Sequence, residues 1–165
     1  MVCKNLDKKI YIILKNSLEK VVKSEYTIIK GVDFVMLNRK IEQKLIDWKN
    51  AKEHKPLIIK GCRQCGKTFS VLEFAKNNYK NVVYLNFFEN PDYASVFSGS
   101  LEIDNIIMML SALLGKGAVF EEGETVLILD EIQECPEART ALKFFQMDGR
   151  FDVIGTGSLL GVKGY

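Results

Sequence analysis

Gly61-Cys62-Arg63-Gln64-Cys65-Gly66-Lys67-Thr68 fits the pattern G-x-x-x-x-G-K-[ST] at every fixed position, and its flanks decide the fold. Upstream, Leu57-Ile58-Ile59 is a short apolar run of the kind a buried parallel strand carries. From Lys67 onward, Leu72, Ala75 and Tyr79 fall on one face of a helix. Strand, glycine loop and helix in that order make a phosphate-binding loop. Two glycines let the backbone curl so that its N–H groups point at phosphate oxygens, and the helix N-terminus adds partial positive charge. Lys67 would reach the β- and γ-phosphates, and the Thr68 hydroxyl would ligate Mg²⁺. The nucleotide-binding candidates are therefore Gly61, Cys62, Arg63, Gln64, Cys65, Gly66, Lys67, Thr68 and Phe69. The bland alternative is a Gly-Lys turn that matches by chance.

Thr125-Val126-Leu127-Ile128-Leu129-Asp130-Glu131 is a continuous apolar strand running into two carboxylates, and it resembles a Walker B strand. In a parallel α/β sheet ligands bind beyond the carboxyl ends of the strands, so Asp130 would emerge beside the phosphate loop. There Asp130 joins Thr68 as a Mg²⁺ ligand, through water, and Glu131 is placed to act as general base on the water that attacks the γ-phosphate. An acidic cap on a helix start is the competing use of Asp-Glu. Phe151-Asp152-Val153-Ile154-Gly155-Thr156-Gly157-Ser158 is a further short strand ending in small polar residues, and it resembles a sensor 1 segment. A hydroxyl there would hydrogen-bond the γ-phosphate or the attacking water; Ser158 is the first choice and Thr156 the second, against a Gly-rich turn leaving a core strand. The catalytic candidates are Glu131, Lys67 and Ser158.

The 165 residues, 47% hydrophobic and 27% charged, suffice for one domain with an ordinary core. The densest early apolar run, Ile10 to Leu14, is far short of the roughly twenty residues a membrane span needs. It is followed by lysines, not by a small-residue cleavage site, so no membrane association is expected and the cytoplasm is the expected compartment. The four cysteines, at 3, 62, 65 and 135, do not form the framework of a small secreted domain. Cys62 and Cys65 make a C-x-x-C inside the phosphate loop, where a disulfide would compete with the backbone shape that binds phosphate. Zinc is disfavoured because there is no second ligand pair and His54 is the sole histidine, read as a solvated residue between a helix and a strand. Residues 1–35 carry seven lysines against four acids; from 36 on, 16 basic residues face 17 acidic ones. The loop-bearing region thus lacks the basic footprint of a sequence-independent nucleic-acid binder.

From Leu37 the order is alternating α/β. Leu37, Ile41, Leu45 and Trp48 form one apolar helical stripe, and Val82-Val83-Tyr84-Leu85-Asn86 reads as a second strand. Asn90-Pro91 reads as a helix N-cap with proline in the first turn. Ile103, Ile106, Ile107, Leu110 and Leu114 share a face of a long helix, and Pro136 opens another with Ala138, Ala141, Leu142 and Phe145 inward.

Taken together, Gly61-x-Arg63-Gln64-x-Gly66-Lys67-Thr68, Asn86-Phe87, Leu129-Asp130-Glu131-Ile132-Gln133 and Gly157-Ser158-Leu159-Leu160-Gly161 resemble a prokaryotic family of AAA-type ATP-binding proteins, over about residues 36–162. The resemblance implies a three-layer α/β P-loop NTPase fold with a mostly parallel sheet and an additional strand between the Walker strands. It also implies a catalytic glutamate beside the Mg²⁺-binding aspartate, with ATP and Mg²⁺ as cofactors. The implied strand order is 5-1-4-3-2, and family members continue into a fifth strand, a helical lid and a C-terminal domain. This chain is accordingly expected to stop after the fourth strand, with residues 36–165 as the ATP-binding domain. Residues 1–35 are then either a genuine leader or sequence read from an upstream start codon. An uncovered first strand would favour self-association or a protein partner, with Tyr26-Thr27-Ile28-Ile29 as one candidate cover. Arg139 and Arg150 are weak candidates for an arginine acting across a subunit contact.

Two functions follow. The carboxylates favour Mg²⁺-dependent ATP hydrolysis; the missing C-terminal part favours a nucleotide-binding switch or interaction module with little or no turnover. A small-molecule kinase would need a lid that is not visible in the sequence.

Overall fold

The computed structural model describes residues 40–62, 64–115 and 118–158. The leader, Leu37, Arg63 and the Leu159-Leu160-Gly161 part of the family resemblance lie outside the described residues. Four strands form one sheet, in the order β1-β4-β3-β2, and all pair in parallel: β1 (Leu57–Gly61), β2 (Asn81–Asn86), β3 (Thr125–Asp130) and β4 (Asp152–Ser158). Parallel neighbours need crossovers, and helices supply them. Helix α1 (Lys40–Asn50) precedes β1, α2 (Lys67–Asn78) links β1 to β2, α3 (Ile103–Leu114) lies between β2 and β3, and α4 (Pro136–Asp148) links β3 to β4.

Strand β3 is buried along its whole length, which explains its unbroken apolar composition: both faces are covered, so neither can alternate with polar residues. On one face Val83, Leu85, Leu127, Leu129 and Val153 pack against Ile103, Ile106 and Leu110 of α3 and Ala138, Ala141, Leu142 and Phe145 of α4. On the other, Val126, Ile128 and Ile154 lie under α2, whose Val71, Leu72, Phe74 and Ala75 are buried; α1 packs on α2 through buried Leu45. The result is three layers, with the helical stripes legible in the sequence facing the sheet.

Three local expectations are modified. Asn90 does precede a helical turn with proline at its start, but Pro91–Phe97 is a 3-10 helix and Asn90 makes no side-chain cap bond. Strand β1 is half-buried and not fully buried, and among the described residues it is an edge strand that pairs with β4 alone. His54 is not merely solvated: its Nε2 lies 2.5 Å from Asp152 Oδ1, and its Nδ1 meets the Ala51 carbonyl at 2.9 Å. The Tyr79 hydroxyl donates to the other oxygen of Asp152 at 2.5 Å. This cluster fastens the entries to β1 and β4 and the C-terminus of α2 at the amino-terminal end of the sheet, beside an open concavity of about 400 Å³. That concavity lies at the opposite end of the strands from the phosphate loop.

Candidate functional site

All four strands end at one edge, where the candidate site residues gather. The pairings Gly61↔Ser158, Asn86↔Asp130 and Leu129↔Gly155 bring the carboxyl ends of the strands together, and the loop leaving β1 turns over that edge into α2. The turn depends on Gly66, whose φ of 79° is left-handed and which stands at the N-cap of α2; Ser70 N–H closes the first helical turn onto its carbonyl at 3.1 Å. A Cβ on Gly61 would sit 3.3 Å from Lys67 Cδ and 3.5 Å from Cys65 Sγ, so the first glycine lets the lysine stem cross close to the backbone. Lys67 Nζ donates to the Cys62 carbonyl at 2.6 Å and to the Gly61 carbonyl at 3.2 Å. The lysine is folded over its own loop, and a phosphate would have to take its ammonium from these carbonyls. Gln64, Cys62 and Cys65 are exposed along the loop, and Phe69 is exposed just inside α2.

Asp130 is buried at the end of β3 and gathers donors from three elements. Thr68 of α2 donates to its two oxygens at 3.1 and 3.3 Å, and Tyr84 of β2 donates at 2.8 Å. Asn86 of β2 approaches at 3.4 Å, the Thr156 hydroxyl of β4 donates to Oδ1, and the Glu131 N–H donates at 3.2 Å. Burial pushes the Tyr84 phenol well above its ordinary value, and the Asp130 charge pushes it the same way, so this hydroxyl stays a donor at any workable pH. Asn86 also shapes the backbone beyond the strand. Its Oδ1 accepts from the N–H groups of Phe88 and Glu89, both at 3.0 Å, which fixes the chain as it leaves β2.

Of the two β4 hydroxyls, Thr156 is the one that touches Asp130. Ser158 is buried one step further along the same face, paired with Gly61 at the mouth of the loop. Glu131 follows Asp130 with φ 52° and opens the 3-10 turn Ile132–Glu134. Gln133 Nε2 donates to the Glu131 carboxylate. The rest of that amide lies against the backbone of β4, where a Cβ on Gly157 would come within 2.6 Å of Gln133 Oε1. Among the described residues, the non-glycine positions with left-handed backbone are Gln64 and Glu131, one in the loop and one beside Asp130. Such conformations cost on the order of 1–3 kcal/mol and gather at functional sites. Arg150 does not reach this edge: its guanidinium is paired with Asp104 at 2.6 Å and Asp148 at 2.8 Å, near the start of β4.

The donor set suits Mg²⁺. Among the described residues no group of three or more His, Cys, Asp or Glu side chains gathers to cage a metal. Mg²⁺ commonly keeps several waters and takes one or two protein oxygens plus phosphate, which the adjacent Thr68 hydroxyl and Asp130 carboxylate supply. Among the described residues no helix is long and apolar enough to cross a membrane.

A comparison with curated proteins finds no match. A family model described as an AAA domain matches residues 53–163, a span that includes the phosphate loop, all four strands, Asp130, Glu131 and Thr156. The chain therefore belongs to the AAA domain family, for which nucleotide binding is the general property.

Proposed function

We propose that this chain binds Mg²⁺-ATP at Gly61–Thr68 and hydrolyses it with Glu131 as general base. The observation that carries the reading is the 3.1 Å contact between the Thr68 hydroxyl and the Asp130 carboxylate. Two residues that lie 62 positions apart in sequence, and that the motifs assign to one metal ion, meet beside the loop. Backbone N–H groups at the start of α2 would hold the phosphates, and Lys67 would leave the Gly61 and Cys62 carbonyls to neutralise them. Thr68 and Asp130 would hold Mg²⁺, which would supply positive charge against the phosphates. Tyr84, Asn86 and Thr156 hold the Asp130 carboxylate in place for that contact. Glu131 would accept the proton of the attacking water, which requires its carboxylate to exchange Gln133 for that water.

A second reading, a nucleotide-binding switch with little turnover, draws on the same two self-contacts. Lys67 is engaged with its own loop and Glu131 with Gln133, so the site is held closed by internal partners. Glu131→Gln separates the readings. It keeps the side chain's shape and removes the base, so Mg²⁺-ATP binding measured by calorimetry is retained while phosphate release falls by about 10²–10⁴-fold. Equal phosphate release from the two proteins would make Glu131 a cap and not a base; no release from either would favour the switch.

A further inference from the structure

We propose that Cys62 and Cys65 form a reversible disulfide across the phosphate loop, a thiol modification site that excludes nucleotide when oxidised. The loss of nucleotide rests on the proposed ATP site; the disulfide itself does not. Both thiols are exposed. The two stand in a C-x-x-C within one loop, a spacing at which two sulfurs can be brought together, and Cys62 is near enough to help lower the Cys65 pKa. The Lys67 ammonium lies 3.8 Å from the Cys65 sulfur, a cation placed to stabilise a thiolate. Partial desolvation pushes the Cys65 thiol up, but Cys62 and the Lys67 charge outweigh it and hold the thiol below its ordinary value. Cys135, by contrast, is buried, and that burial pushes its thiol up. The loop therefore presents an attacking and a resolving sulfur together.

The oxidant required is a small-molecule disulfide such as oxidised glutathione. The Cys65 thiolate attacks one of its sulfurs, the S–S bond breaks, and one thiolate leaves. The Cys62 thiolate then attacks the Cys65 sulfur of the mixed disulfide and expels the second. Two protein thiols are oxidised, one disulfide is reduced to two thiols, and the two cysteine protons end on the released thiolates. Closing the bond brings the sulfurs to about 2.05 Å. Gln64, between the two cysteines, is already left-handed at φ 57° and has little slack. The peptides of residues 62–65 must therefore rotate, and theirs are among the N–H groups that a phosphate seated in such a loop uses. Losing even one charge-assisted bond weakens binding by about tenfold or more. By reciprocity, bound nucleotide resists oxidation: each tenfold difference in affinity raises the midpoint potential of the pair by about 30 mV.

The test equilibrates the full chain in glutathione redox buffers, quenches by alkylation and digests with trypsin. Cleavage after Arg63 separates the two cysteines, so the disulfide appears as the peptides 61–63 and 64–67 joined to each other and released by reductant. That linked pair is expected. Cys62→Ser should lose it and accumulate a glutathione adduct on Cys65. A stable glutathione adduct in the unmodified chain, or linkage to Cys3 or Cys135 in its place, overturns the proposal. Binding of a fluorescent ATP analogue to the same samples then separates the two readings. A reduced chain that fails to bind refutes the nucleotide site and leaves the disulfide standing on its peptides. A reduced chain that binds, beside a cross-linked chain that binds equally well, refutes the exclusion while leaving the nucleotide site intact.

Discussion

Replacing Tyr84 by phenylalanine removes one oxygen and keeps the ring, which makes it the cleanest probe of how Asp130 is held. The hydroxyl donates to Asp130 at 2.8 Å and accepts from Asn86 Nδ2 at 3.2 Å. A hydrogen bond to a charged group contributes about 1.5–3 kcal/mol. Asp130 keeps Thr68, Thr156 and the Glu131 N–H after the change, so no acceptor is orphaned, and the loss belongs at the low end, about 1.5 kcal/mol. For a chain of this length that is a fall in Tm of about 3–6 °C. Urea unfolding followed by circular dichroism measures the same quantity through the midpoint at constant slope. Because the Tyr84 phenol is pushed far above its ordinary value, the loss should be the same at pH 6 and pH 8.5. Adding Tyr84→Phe to Asp130→Ala should cost less than about 0.5 kcal/mol, since the partner is already gone. If the phenylalanine variant loses no stability in the unmodified protein, or loses as much in the Asp130→Ala protein, the hydroxyl does not hold Asp130.

Two further outcomes follow from named contacts. Lys67→Ala removes the ammonium that lies over the loop carbonyls, so calorimetry should show Mg²⁺-ATP binding abolished; equal affinity in the two proteins would remove the phosphate loop as the site. His54 is partly desolvated, which lowers its pKa, but the Ala51 carbonyl and the Asp152 carboxylate outweigh this and hold it above 6.5. Its charged contact with Asp152 therefore contributes stability that is fully present below pH 6.5 and lost as pH rises through the raised value. The urea midpoint difference between the unmodified chain and His54→Gln should be largest in acid and shrink toward pH 8.5; a constant difference would show that the pair does not titrate.

What could be read from the sequence was what depends on neighbours along the chain. The glycines, Lys67 and Thr68 work through a local backbone shape, and β3 is apolar throughout because it is covered twice, so both were visible as patterns. The members of the Asp130 cluster were harder to see because they depend on register. Tyr84 and Asn86 alternate along β2 onto the face that carries Asp130, and the signal was there in their spacing. It was the pairing Asn86↔Asp130 that turned that spacing into a contact. The same stagger sets which β4 hydroxyl meets Asp130. With Ile128 opposite Ile154, two further residues bring Asp130 level with Thr156, while β4 runs on past the end of β3 to Ser158. Composition at a strand end cannot distinguish these hydroxyls, since both point to the same face. The His54–Asp152 contact spans 98 positions and joins two strand entries, so a lone histidine beside a helix gave no sign of it.

The left-handed backbone of Gln64 and Glu131 was hidden for a different reason. Neither residue favours φ near +55°, and a sequence obeying local preference would place glycine or asparagine there. If Glu131 is the base proposed above, the side chain itself is what the position needs, because a carboxylate one residue beyond Asp130 has to leave the strand direction to face the loop. The left-handed turn redirects it, the Glu134 N–H bonded to the Glu131 carbonyl at 2.9 Å holds the turn, and Gln133 holds the carboxylate. Local preference and the proposed function conflict at this position, and the left-handed backbone is the side of that conflict the fold takes. A glycine here would relieve the backbone and remove the proposed base.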